Sequence, residues 1–216
     1  MIKIKRQKCP AALEKNRDTW TKKLLEFINN GQDVPKHITE QYKHQDIKDS
    51  LKNDSHEKCI YCETRVTPSY FGDVEHIKPK SRFPELTFDW NNLGFVCAQC
   101  NNRKSDKYDE NILYINPYEE EPSDFLKALG AFIFHLPDNK RGEVTEYDLG
   151  LNRAQLVESR MEKIDQLRSL IDRYVATLNA THKRVLLSQI REQVSENKPY
   201  TMVARALVKS FIPEFS

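Results

Sequence analysis

Two Cys-x-x-Cys pairs, Cys59-Ile60-Tyr61-Cys62 and Cys97-Ala98-Gln99-Cys100, constrain this chain more than any other feature of it. Thirty-four residues separate the pairs. Each two-residue gap lets a tight turn aim two thiolates at one ion, and four sulfurs complete a tetrahedral zinc site with no position left for substrate. The spacing therefore predicts a structural zinc. Cys9 stands alone and reads as a small buried apolar side chain. An odd cysteine count with duplicated spacing favours a metal site in a reducing cytosol over a secreted disulfide framework. Met1 to Lys8 has the charge of a signal peptide's first region, but Cys9-Pro10 and a charged amphipathic stretch follow where the apolar region should be. No apolar run approaches the roughly 18 residues of a membrane span, and the mean hydropathy is -0.72. These readings exclude a membrane protein and predict a cytoplasmic one.

At 216 residues the chain is long enough for one domain, or one compact module with helical additions. The net charge of +2 does not by itself announce a nucleic-acid binder. Residues 1–54 are the basic part, with 12 Lys and Arg against 8 Asp and Glu. That surplus suits either a solvated helical face or an arm that tracks a nucleic-acid backbone. Leu13, Trp20, Leu24, Phe27 and Ile28 predict a helix over about 12–29 that stops at Asn30-Gly31. Ile38, Tyr42, Ile47 and Leu51 predict a second helix over about 38–52. Residues 55–110 hold four of the five cysteines and little helical periodicity, as expected of a small module held by metal. In the remaining segment, 111–216, Phe132–Leu136 and Glu143–Tyr147 read as the two strands of a hairpin. Asn152 and Gln155 form a capping-box pattern at the start of a long helix over about 152–180, and shorter helices follow at about 182–196 and 200–211. The apolar stripe of the long helix looks too wide to be covered by a small module, which predicts a partner-docking face.

Between the cysteine pairs lie Asp73-Val74-Glu75-His76-Ile77-Lys78-Pro79-Lys80 and Asn91-Asn92-Leu93, and the second pair runs into Asn101-Asn102-Arg103-Lys104. These residue types suit hydrolysis of a phosphodiester. A histidine supplies a base near neutral pH, and carboxylate and amide oxygens can hold a divalent ion that neutralises phosphate charge. An adjacent acid and histidine provide both. Lys78, Lys80, Arg103 and Lys104 flank the site and would contact phosphates, if they are not plain solvated loop charge. His56 lies near enough to the first pair to support the zinc ligands, whereas His37, His44, His135 and His182 show no partner pattern.

The order of these motifs resembles the HNH endonucleases, whose hairpin-plus-helix module, called ββα-metal, grips one catalytic ion. The resemblance implies His76 as general base, Glu75 as carboxylate ligand of the ion, Asn92 as the structural Asn bracing the loop between the strands, and Asn101 as second ligand. Two departures stand out. Family members usually carry Asp where this chain has Glu75, which leaves Asp73 as a reserve ligand, and the glycines often found after the His are replaced by Ser81-Arg82-Phe83-Pro84. Asn at position 101 favours a hard ion such as Mg²⁺ or Mn²⁺. A finer resemblance rests on Cys59-Ile60-Tyr61-Cys62-Glu63, on Asp73 to Ser81, and on Leu149-Gly150-Leu151-Asn152 leading into Leu156 to Arg160. It is to the PtuB-like nuclease subunits of Septu and retron-linked anti-phage systems. That family implies a bacterial defence effector acting with an ATPase subunit of the ABC/SMC-like type.

The resulting expectation is an α+β, mainly helical chain in which a zinc-stapled ββα-metal HNH module is flanked by N-terminal and C-terminal helical segments. It would cleave nucleic acid, DNA first. Attack by water needs no 2′-hydroxyl, so an RNase acting on tRNA or other structured RNA is the alternative, and a zinc-ribbon binding module without catalysis is a third.

Overall fold

The computed structural model describes residues 1–66, 72–212 and 215. Its helices are α1 (Ala11–Asn29), α2 (Lys36–Thr39), α3 (Gln45–Asp54), α4 (Ala98–Lys104), α5 (Lys140–Leu149), α6 (Ala154–Ala176), α7 (Ala180–Gln193) and α8 (Thr201–Phe211). Two antiparallel hairpins accompany them: β1 (Asp73–His76) with β2 (Leu93–Val96), and β3 (Leu126–Leu129) with β4 (Phe132–His135). The class is α+β and mainly helical, as the patterning predicts. No helix is long and apolar enough to cross a membrane.

Three apolar clusters organise the chain. The first joins α1 and α3 to the β1–β2 hairpin through Leu13, Leu24, Ile47, Leu51, Phe88, Leu93 and Phe95. The second surrounds the four cysteines with Ile60, Val96, Ile115, Leu151 and Val203. The third, built on Leu167, Ile171, Ile190 and Val208, lies among α6, α7 and α8. Burying each large aliphatic or aromatic side chain is worth about 1.5–3 kcal/mol, so this packing, not helix propensity, holds the short elements. Phe88 and Trp90 are core residues, and Trp20 meets Phe88 edge to face at 5.6 Å.

The structure departs from the sequence expectation in four places, each with a local cause. The helix expected over 38–52 breaks at Glu40–His44, where a 3₁₀ turn intervenes and the His44 ring caps α3 by accepting from the Asp46 amide. The hairpin pairs Phe132–His135 with Leu126–Leu129, not with 143–147. Residues 140–149 are helical because Asn139 caps the Gly142 amide and Gly150 takes the left-handed conformation at the other end. Asn152 does not cap α6. Its side chain grips the backbone of Ile133 on both sides, accepting from N at 2.9 Å and donating to O at 2.7 Å. Finally, the apolar residues of α6 divide between two environments: Leu156, Leu167 and Ile171 are buried against α8, α7 and the cysteine cluster, whereas Met161 and Val175 stay exposed.

The basic N-terminal segment is also less free than an arm would be. The Arg6 guanidinium lies over the rings of Tyr118 and Trp90 and faces Asp54 at 3.6 Å, while the Ile4 amide donates to Pro117 O.

Candidate active site and metal centre

The β1–β2 hairpin and α4 form one unit, with His76 opposite Leu93 and Glu75 opposite Gly94. Side chains alternate along β1. Asp73 and Glu75 reach α4, where they meet Asn101 and Lys104, whereas His76 turns toward Tyr42. The open face of this unit is a cleft of about 450 Å³ lined by Tyr42, Glu75, His76, Lys80, Asn101 and Ser105, among others.

The His76 ring is 7% exposed, and its Nε2 lies 3.0 Å from the Thr87 carbonyl oxygen. A carbonyl only accepts, so this contact assigns the ring proton to Nε2 and leaves Nδ1 as the lone-pair nitrogen. Among the described residues nothing hydrogen-bonds Nδ1. Burial pushes the His76 pKa down to about 4, so the imidazole is neutral at neutral pH. Tyr42, delivered by the break between α2 and α3, packs edge-on against the imidazole at 4.6 Å between centroids. Lys80 donates to Tyr42 Oη at 2.9 Å.

Asn92 braces the loop between the strands. Its Oδ1 accepts from the Lys78 amide at 2.7 Å, and its Nδ2 donates to Lys78 O at 3.0 Å and Leu86 O at 3.2 Å. Asn101 donates through Nδ2 to Asp73 Oδ2 at 3.1 Å, which leaves its Oδ1 free to accept or to ligate a hard ion. Glu75 is buried and ion-paired through Oε1 with Lys104 Nζ at 2.5 Å, and Lys104 also donates to His76 O at 2.9 Å. Burial raises the Glu75 pKa, and Lys104 opposes the shift.

Lys104 must therefore be removed from the expected phosphate contacts. Its side chain is 0% exposed and serves Glu75 from inside the module, since an ammonium this deep requires a partner. Lys78 and Arg103 face solvent, and Lys80 is half-buried at the cleft. His56 is exposed.

Cys59, Cys62, Cys97 and Cys100 bring their sulfurs within 4.8 Å of one another and are all buried. Among the described residues this is the one gathering of three or more Cys, His, Asp or Glu side chains with the geometry of a metal site. The donor set suits zinc, being four sulfurs at a closed position. Cys9 takes no part and packs beside the α1 cluster. The Asp73, Glu75 and Asn101 oxygens offer too few protein donors for a closed cage, which suits a Mg²⁺-like ion that keeps waters. Sequence reasoning missed three members of this arrangement: Tyr42, the Thr87 carbonyl and Arg153, which sits against the sulfurs. Only tertiary packing brings them there, and no local pattern announces them.

Comparison with known proteins agrees with this geometry. The HNH endonuclease family model matches residues 59–107. The Septu protein PtuB of Bacillus thuringiensis is 30% identical over 190 residues, covering 84% of this chain and 69% of its own length. The Septu protein PtuB of Bacillus mycoides strain KBAB4 is 28% identical over 194 residues and is covered over 66% of its length. The chain thus spans about two thirds of these relatives. With the hairpin, the helix and the histidine in place, the chain belongs to the PtuB family of Septu proteins and carries an HNH endonuclease domain.

Proposed function

We propose that this chain is the metal-dependent nuclease of an anti-phage defence system and hydrolyses phosphodiester bonds of nucleic acid, DNA first, in the cytoplasm. The orientation of His76 carries the reading. Its Nε2 proton is committed to the Thr87 carbonyl and its neutral Nδ1 is left as a base. In the reaction, Nδ1 takes a proton from water as the water oxygen attacks phosphorus, and the bond to the 3′ oxygen breaks. Glu75 and Asn101 would hold a divalent ion, which when bound neutralises charge on the phosphate and the departing oxygen. Asp73 orients the Asn101 amide so that its oxygen is available. Asn92 braces the loop that carries Lys78 and Lys80, and Lys80 at the cleft, with Lys78 and Arg103 nearby on the surface, would position the backbone without reading sequence.

The division of labour we infer is an N-terminal helical segment over 1–54, the nuclease module over 55–110 and a C-terminal segment over 111–216. The family resemblance adds an ABC/SMC-like ATPase subunit as partner. The exposed Met161 and Val175 leave part of α6 open to that partner.

His76→Ala removes the base without touching a cysteine. Cleavage of labelled duplex DNA, single-stranded DNA and tRNA with Mg²⁺ is expected to fall by about 10²-fold or more, with zinc content unchanged. Equal cleavage by the variant sinks the mechanism, and cleavage of tRNA alone transfers the reading to RNA.

A further inference from the structure

The four-cysteine centre has a cation built against it that the nuclease chemistry does not use. Arg153, at the N-terminus of α6, directs Nη1 at Cys100 Sγ and Nη2 at Cys62 Sγ and Cys97 Sγ, each at 3.7 Å. Nη1 also donates to the carbonyls of Leu149 and Gly150, so the guanidinium is fixed by its own turn while it faces the sulfurs. Two turns along the same helix, Arg160 is fully buried and donates through Nη1 to Ala131 O and Leu151 O, with Nε and Nη2 unpartnered. Among the described residues neither arginine is ion-paired with a carboxylate. A second link runs from Cys62 Sγ to Thr64 Oγ1 at 3.3 Å and on to Tyr200 Oη at 3.2 Å, at the start of α8.

A buried cation without an anion is expensive. Neutral thiols cannot compensate for it. Four thiolates around a divalent ion carry two net negative charges, which compensate the Arg153 guanidinium held against them. Groups in contact with metal ligands commonly set metal affinity as well as ligand orientation.

We propose that Arg153 is an outer-sphere residue of the zinc–thiolate centre, and that through it and the Thr64–Tyr200 link the metal fastens α6 and α8 to the nuclease module. The proposal rests on the reading of the four cysteines as a zinc site. Arg153 then has a positioning role toward the sulfurs, and the C-terminal helices depend on metal although they supply no ligand.

The test uses the full chain. Zinc content of the wild type is measured first, then transfer of zinc to a chromogenic chelator for the wild type, Arg153→Met, Arg153→Lys and, as control, Arg173→Met at an exposed position of α6. Arg153→Met is expected to release zinc about 10-fold faster or more, Arg153→Lys by an intermediate factor, and Arg173→Met at the wild-type rate. In parallel, hydrogen exchange of the wild type before and after chelation should show lost protection over 150–160 and 200–204, a reading that needs no variant to fold. A wild type that holds no zinc overturns the metal reading and this inference together. A zinc-loaded wild type in which Arg153→Met releases metal at the normal rate, or in which those amides keep their protection after chelation, overturns the clasp alone.

Discussion

Lys104 and Glu75 show how a fully buried cation can hold in place a carboxylate that lines the candidate cleft. Glu75 needs a cation because its carboxylate is buried, and Lys104 provides one at 2.5 Å from within α4. Breaking such a pair from one side leaves an uncompensated charge and costs about 3–5 kcal/mol. Lys104→Met is accordingly expected to lower the urea midpoint strongly, more than Lys78→Met on the exposed loop. If Glu75 is the ion's carboxylate ligand, Mg²⁺ recovers part of that loss, because a bound ion replaces the missing cation and stabilises the folded state in proportion to its occupancy. The measurement is the Mg²⁺-dependent rise in the melting temperature of Lys104→Met compared with wild type. No larger rise in the variant would move the carboxylate role to Asp73.

At the scale of elements, the sequence made the cysteine gathering legible and the packing-bound parts less so. The cysteine pairs were readable because fixed spacing is itself the chemistry. The helices α1 and α6 were readable because Leu13 with Leu24, and Leu167 with Ile171, recur on one face. Residues 143–147 misled because Val144 and Tyr147 favour strands, while the decisive signals, the Asn139 cap and the left-handed Gly150, lie just outside the window. Gly142 makes α5 depend on its neighbour β3. A methyl group there would lie 2.5 Å from the Phe125 carbonyl oxygen. Helix propensity favours Ala over Gly by roughly 1 kcal/mol, and a backbone clash of this size costs about 1–3 kcal/mol. The clash wins, so Gly142→Ala is expected to destabilise the chain in thermal melts. A stabilised variant would show that the β3 end yields easily.

At the scale of the whole molecule, residues 1–10, which lie outside regular secondary structure, connect distant parts of the chain: the Met1 amino group pairs with Glu63, the Ile4 amide donates to Pro117 O and Arg6 faces Asp54. This segment meets Asp54, the last residue of α3, whose Oδ1 accepts from the Gln7 amide at 3.1 Å while Arg6 faces Oδ2. Nothing in the sequence marks Asp54, because its partners lie 47 residues or more away along the chain. Burial raises its pKa from 3.8 to about 6, an effect larger than the opposing ones of the Gln7 hydrogen bond and Arg6. The sign of the pH effect follows directly. Between these two values the folded chain binds the Asp54 proton more tightly than the unfolded chain does, so stability falls as pH rises. The contribution is fully present below about 4 and lost above about 6. Asp54→Asn keeps a neutral side chain of the same shape and has no proton to lose there. Urea unfolding at pH 4.5 and 7.5 should therefore show wild type losing stability relative to Asp54→Asn as pH increases. A wild type that instead gains stability over this range, relative to the variant, would mean that the Arg6 ion pair outweighs the burial of the carboxylate and that the N-terminal segment is locked by charge.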